Sequence, residues 1–192
     1  MIRIALIGDI GSGKTHVSKK FNYPVFNADN EVSKLYKKNI KCFNKFKKIF
    51  PKYITKFPIE KKQLTKVILA NPSNLKKIVK IIHPEVQYCM NKFLKKNKNS
   101  KIVVLDIPLL LENKINKKGD ILIFVDANKN EINKRLKKRK NINMKLVKKL
   151  KKLQLPVETK KKKANFIIKN NFNNNFVKKS VKNILNNILS YD

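Results

Sequence analysis

Three of the four glycines in this chain, Gly8, Gly11 and Gly13, fall within six residues and run directly into Lys14 and Thr15. The preceding run IRIALI (2–7) is short and apolar, and the segment from Thr15 to Phe21 is compatible with a helix. Strand, glycine-rich turn and helix is the setting in which the spacing Gly8-x-x-x-x-Gly13-Lys14-Thr15 carries chemistry. Glycines let successive backbone N–H groups turn inward around a phosphate, and the following helix N-terminus adds its dipole at the same point. Lys14 brings a point charge for β- and γ-phosphates, and the Thr15 hydroxyl is placed to hold Mg2+. A bare glycine turn does not explain why Lys and Thr follow. The stretch predicts a nucleoside triphosphate site built on Gly8, Gly11, Ser12, Gly13, Lys14 and Thr15. Asp9, an acid inside the loop, occupies a variable position from which a side chain can point away from the phosphates.

The rest of the chain supplies partners for the first strand. PVFNAD (24–29) reads as a second strand ending in Asp29. KIVVLDIPLLLE (101–112) contains a buried parallel strand in at least its first half, DILIFVDA (120–127) is another, and ANFIIKNN (164–171) gives a last short one. From Glu31 to about Lys98 the pattern is mainly helical, with breaks at Pro51, Pro58 and Pro72. NEINKRLKKRK (130–140) is a basic helix, NNFVKKSVKNILNNIL closes the chain as an amphipathic one, and the lysine run 160–163 reads as a solvated helix face. Strands alternating with helices predict an α/β fold around a parallel sheet of five strands. The 192 residues suit one domain with small insertions.

The net charge of +35 raises the possibility of a nucleic-acid partner. The excess, however, is 44 lysines against 3 arginines, spread along the chain, and asparagine (26) and isoleucine (23) are inflated with it. Lys, Asn and Ile share A/T-rich codons, so mutational bias yields this composition without selection for DNA, and aromatics do not interleave with the basic residues as in stacking platforms. No nucleic-acid partner is expected. No apolar run approaches the roughly 20 residues of a membrane span, and no secretory signal is visible, so the expectation is a cytoplasmic protein without membrane contact. Cys42 and Cys89 lack metal-ligand spacing and read as buried or idle thiols.

Acids and arginines that survive such a bias carry information. Asp29 and Asp106 stand at strand ends, where ligands bind in a parallel sheet; one acid there can order Mg2+ through its waters, the other can orient a hydroxyl nucleophile. Asp29 equally fits the cap of the helix that follows it. Glu112 has a weaker claim and suits a loop cap. Arg135 and Arg139 lie one helical turn apart, with Glu131 as their one acidic neighbour, and a planar guanidinium holds phosphate as lysine cannot. His83-Pro84 reads more readily as structural than catalytic, and His16 would offer phosphate only its backbone amide.

The order and spacing of IALIGDIGSGKTHVSKKF, PVFNADNEVSKLY, HPEV, DIPLLLE, DILIFVDA, RLKKR, Gln154 and KKKANFIIKNN resemble the dephospho-CoA kinase family over nearly the whole chain. The resemblance implies ATP-dependent phosphorylation of the ribose 3′-hydroxyl of dephospho-CoA. It also implies a three-layer α/β/α nucleoside-monophosphate-kinase-like core (about 1–30, 101–134 and 164–192), a helical acceptor-binding region (about 31–100) and a lid (about 135–160). By residue, Gly11 to His16 would surround the ATP phosphates, Asp29 would activate the hydroxyl, Arg139 and Arg135 would serve from the lid, and Asn170 would lie near the adenine. His83 and Pro84, with Asp106, would face the acceptor, and Mg2+ would sit on Thr15 with water-mediated help from Asp29 or Asp106. The implied partners are ATP and dephospho-CoA, in a monomer or weak homo-oligomer. The chain departs from the family at Asp9 (usually Gly), at Asn27 (the first acid of Asp-Ala-Asp) and at Asn165 (the late Ala-Asp). Other readings are a small P-loop kinase for a nucleoside, nucleotide or metabolite, a nucleic-acid-binding ATPase, and a binding protein that has lost catalysis.

Overall fold

The computed structural model describes residues 1–138 and 143–190. Along the chain run β1 (Ile2–Gly8), α1 (Lys14–Ser18) with a 3-10 turn at Lys19–Phe21, β2 (Val25–Asn27), α2 (Ala28–Lys38), α3 (Ile40–Ile49), α4 (Lys61–Ala70) and α5 (Asn74–Lys96). Then come β3 (Ile102–Asp106), β4 (Ile121–Asp126), α6 (Lys129–Lys138), α7 (Met144–Lys151), α8 (Val157–Lys163), β5 (Phe166–Lys169) and α9 (Asn174–Leu189). The chain divides into two compact units, Met1–Asn27 with Asn97–Asp192, and Ala28–Lys96.

In the first unit, the five strands found among the described residues form one sheet in the order β2-β3-β1-β4-β5, every pair parallel. β1 is central: Ile4 pairs with Val104 of β3 on one side and Ile121 of β4 on the other. Ile4, Ala5 and Leu6 are wholly buried, which is why β1 reads as an unbroken apolar run rather than an alternating one. Successive side chains take opposite faces. Ile4 and Leu6 join Val17 and Phe21 from the α1 region and Val177, Val181, Ile184 and Ile188 of α9 in one cluster. Ile7 faces the other side, where it shares a small cavity with Lys160 of α8. Helices on both faces of a parallel sheet make the expected three-layer α/β/α fold. Beside it, Ile132 and Leu136 of α6 pack with Val147 of α7, and Ile10 of the glycine loop rests against this cluster.

The second unit is helical. Pro51 and Pro58 fall in the connection between α3 and α4, and Pro72 between α4 and α5. A further break comes at Asn39, whose side chain caps α3 by accepting the Cys42 amide at 2.8 Å. Pro84 lies inside α5. Phe46 is fully buried and receives the edge of Tyr36 at a centroid distance of 5.8 Å. Burial, reinforced by the Glu85 carboxylate, pushes the Cys42 thiol up to about 11, and burial also raises Cys89, so both thiols stay protonated and idle at neutral pH. No helix among the described residues is long and apolar enough to cross a membrane.

Two sequence expectations are corrected. β2 ends at Asn27, where its pairing with Asp106 stops, so Asp29 belongs to the first turn of α2 and not to the strand. The lysine run 160–163 is not wholly solvated: Lys160 is 1% exposed, because the turn of α8 that carries it faces the Glu112 carboxylate, 3.7 Å from its Nζ.

Truncating Phe46 leaves a cavity that neighbouring aromatics only partly fill. Phe46→Ala is expected to cost about 3–5 kcal/mol of stability, read from the urea midpoint; a loss below about 1 kcal/mol would show that the helical unit repacks freely.

Candidate active site

β1 delivers the glycine loop at the carboxyl edge of the sheet, beside the point where the chain crosses between β1 and β3. Gly8 and Gly13 adopt φ of 148° and 90°, and both positions are also closed to a side chain. A Cβ at Gly8 would stand 2.8 Å from the Val125 carbonyl oxygen, and one at Gly13 would run into Asn170 Nδ2. The loop therefore keeps its backbone bare where an anion approaches. Lys14 Nζ folds over it, donating to the carbonyls of Gly8 (3.1 Å) and Asp9 (2.9 Å). Ser12 Oγ is buried within the loop without a hydrogen-bond partner, an orphaned donor where phosphate oxygens would supply acceptors. The loop residues thus fit a nucleotide phosphate chain.

Next to the loop lies the acid of β3. Asp106, 3% exposed, accepts on Oδ2 both from the Thr15 hydroxyl at 2.6 Å and from Asn27 Nδ2 at 2.5 Å. A carboxylate and a hydroxyl are hard oxygen ligands. Among the described residues no group of three or more His, Cys, Asp or Glu surrounds a metal position. That donor set fits Mg2+, which is usually held by one or two carboxylates together with substrate phosphates and water rather than by a protein cage. Asn27 turns the departure from the family pattern into a neutral donor. Asn165, the second amide in place of an acid, pairs with β4: its Oδ1 accepts the Leu122 amide at 2.8 Å.

The far side of the loop is braced by the segment after β5. Asn170, 2% exposed, donates Nδ2 to the Ser12 carbonyl at 2.7 Å and accepts the Phe172 amide at 2.9 Å. Its side chain is thus engaged in holding the loop itself. Arg135 places its guanidinium 4.1 Å from the Phe172 ring centroid, a cation–π contact worth about 0.5–1 kcal/mol at an exposed position. Glu131, the one acid expected to pair with it, is taken by Lys134 at 3.1 Å. His16, whose Nε2 is buried without a partner, has its pKa lowered by burial and by the charges of Lys20 and Arg135, partly offset by a hydrogen bond with Asn174. Its imidazole is therefore biased toward the neutral form.

Gly8, Gly11, Ser12, Gly13, Lys14, Thr15, His16, Asp106, Arg135 and Asn170 all belong to the sheet-bearing unit. Asp29 opens α2, and His83 and Pro84 stand on the exposed side of α5, in the helical unit. Arg139 lies outside the described residues. Two residues make contacts that reading residues singly does not reveal. Gln154 reaches the loop, accepting from the Ile10 amide at 3.2 Å and donating to the Gly8 carbonyl at 3.4 Å. Glu112 accepts the Leu155 amide at 2.9 Å and faces Lys160. The place of DIPLLLE and Gln154 in the order of motifs that resembles the family was the one available signal.

Comparison with known proteins agrees with this architecture. The family model described as dephospho-CoA kinase matches residues 2–175. A dephospho-CoA kinase of Wolbachia pipientis wMel is 33% identical over 190 residues, covering 96% of this chain and 97% of that protein. Among solved structures, a Thermus thermophilus protein superposes with a TM-score of 0.79 at 24% identity, covering 99% of this chain and 97% of its own. The dephospho-CoA kinase from Campylobacter jejuni gives 0.63 at 21% identity over 97% and 96%. The two structural likenesses establish the shared fold, and the match of the family model over most of the chain establishes more: this chain belongs to the dephospho-CoA kinase family.

Proposed function

We propose that this protein transfers the γ-phosphoryl group of ATP to the ribose 3′-hydroxyl of dephospho-CoA, giving CoA and ADP in the last step of CoA synthesis. The observation that carries the phosphoryl-transfer chemistry is the meeting of Lys14, Thr15 and Asp106 at the carboxyl ends of β1 and β3, with Thr15 Oγ1 2.6 Å from the acid. Membership of the family supports dephospho-CoA as the acceptor. The reaction is that of a cytoplasmic enzyme acting on two small polyanions.

The loop amides and Ser12 Oγ receive the phosphate oxygens. Lys14 exchanges the carbonyls of Gly8 and Asp9 for the β- and γ-phosphates. Thr15 and Asp106 would hold Mg2+, which neutralises charge on the phosphates and orients them. Asp29, two residues beyond Asn27, accepts a hydrogen bond from the acceptor's 3′-hydroxyl and takes its proton as the oxygen attacks the γ-phosphorus in line. Arg135 and Arg139 supply charge to the transferring group from the lid (about 135–160), whose closure excludes the water that would otherwise hydrolyse ATP. The helical region (about 31–100), with His83 and Pro84, is assigned to the acceptor. The high positive charge steers both substrates inward, an effect that weakens as salt rises.

The direct test is CoA formation from purified protein, Mg-ATP and dephospho-CoA. ADP release with a different hydroxyl acceptor and none with dephospho-CoA would transfer the assignment to another small kinase. Lys14→Ala is expected to abolish transfer. Asp29→Asn is expected to lower kcat by about a hundred- to ten-thousandfold with little change in ADP affinity; a kcat near wild type would remove Asp29 as the base. Gly13→Ala, whose methyl would collide with Asn170, is expected to weaken ADP binding at least about tenfold by calorimetry, and normal binding would show that Asn170 moves aside without penalty.

A further inference from the structure

One lysine of a run that sequence places in solvent is among the most buried side chains of the molecule. Lys160, on α8, carries its Nζ 3.7 Å from Glu112 Oε1 and has no hydrogen-bond partner. Lys160 helps line a cavity of about 10 Å³ that Gly8, Lys14, Glu112 and Gln154 share with the apolar residues Ile7 and Leu110, room for a single water at most. Burying an ammonium in this way is unfavourable by several kcal/mol before pairing is counted, so its retention calls for a use. Glu112 shows what the pair holds. Its Oε1 also accepts the amide of Leu155 at 2.9 Å, which ties the chain just after Gln154 to the turn that follows β3.

Gln154 in turn grips the phosphate loop at two points on either side of Asp9. Its carbonyl oxygen accepts from Ile10 and its amide nitrogen donates to Gly8, the same carbonyl that Lys14 Nζ occupies. A loop with three glycines at positive φ is cheap to distort, and any ordering left undone is charged against nucleotide binding. Fixing the peptide planes at Gly8 and Ile10 limits the conformations left to the loop that follows them, where the nucleotide phosphates would lie.

We infer that Gln154 is a positioning residue of the phosphate loop, held on its target by the buried Lys160–Glu112 pair, so that the segment 154–160, the anchored end of the region assigned to the lid, preorganises the nucleotide site. The inference rests on the reading of the loop as a nucleotide phosphate site.

The test compares Gln154→Leu, Lys160→Met and the combined variant by ADP calorimetry, steady-state kinetics and thermal unfolding. Gln154→Leu is expected to raise the ADP dissociation constant and the KM for ATP about tenfold, with kcat and the KM for dephospho-CoA near wild type. Lys160→Met is expected to give the same split, and the combined variant to be little worse than either alone, since both act through one contact. Lys160→Arg is expected to restore much of the ADP affinity. A loss of thermal stability without the ATP-specific KM change, or effects that add in full, would overturn the inference. If Lys160→Met does not fold, Lys160→Met/Glu112→Leu, which leaves no lone buried charge, takes its place with the same expected split. Wild-type protein that binds ADP but forms no CoA would overturn the acceptor assignment alone, whereas wild-type protein that binds no ADP would overturn both.

Discussion

Strand β1, closed off from water between β3 and β4, is the constraint on which the rest of the structure depends. Its residues pair on both edges and are buried on both faces. Parallel neighbours on both sides demand crossover connections, so helices must cover the sheet above and below. The same strand ends at Gly8, with its backbone pressed against the Val125 carbonyl. The phosphate loop therefore begins at a point the core has already fixed, and α1 can start only where Gly13 turns the chain.

What makes the loop a site is contributed from distant parts of the sequence. Asp106 receives Thr15, Asn170 holds the Ser12 carbonyl, and Gln154 holds Gly8 and Ile10. Ile10 is anchored again by the cluster of Ile132, Leu136 and Val147. The polar braces address backbone groups of the loop or its Thr15 hydroxyl, and the apolar one holds the Ile10 side chain. The loop's glycines give it the needed backbone shape, and these contacts keep it from adopting others.

The strands and the glycine loop were legible because they rest on local patterns: β-branched runs bounded by turns, and a fixed spacing of Gly, Lys and Thr. The end of β2 was not, because Asn27-Ala28-Asp29 suits a strand end and a helix start equally, and only the pairing of Asn27 with Asp106 decides it. Lys160 was illegible for a different reason. In a chain with 44 lysines one more signals nothing, and its burial depends on Glu112, which is remote in sequence. Arg135 stood out as rare, but its ring partner Phe172 lies beyond β5 in a left-handed conformation that no local pattern announces. Asn170 was singled out, although the group it holds, the Ser12 carbonyl, emerged only from the folded chain.

The amide at Asn27 has a consequence for the life of the protein between catalytic cycles. Thr15 Oγ1 and Asn27 Nδ2 both donate to Asp106, so two neutral dipoles turn toward the buried carboxylate. An acid at position 27 would set two like charges against each other there, and such a pair calls for a shared proton or a cation to settle it. An amide at that position takes this repulsion out of the resting fold and puts a donor in its place.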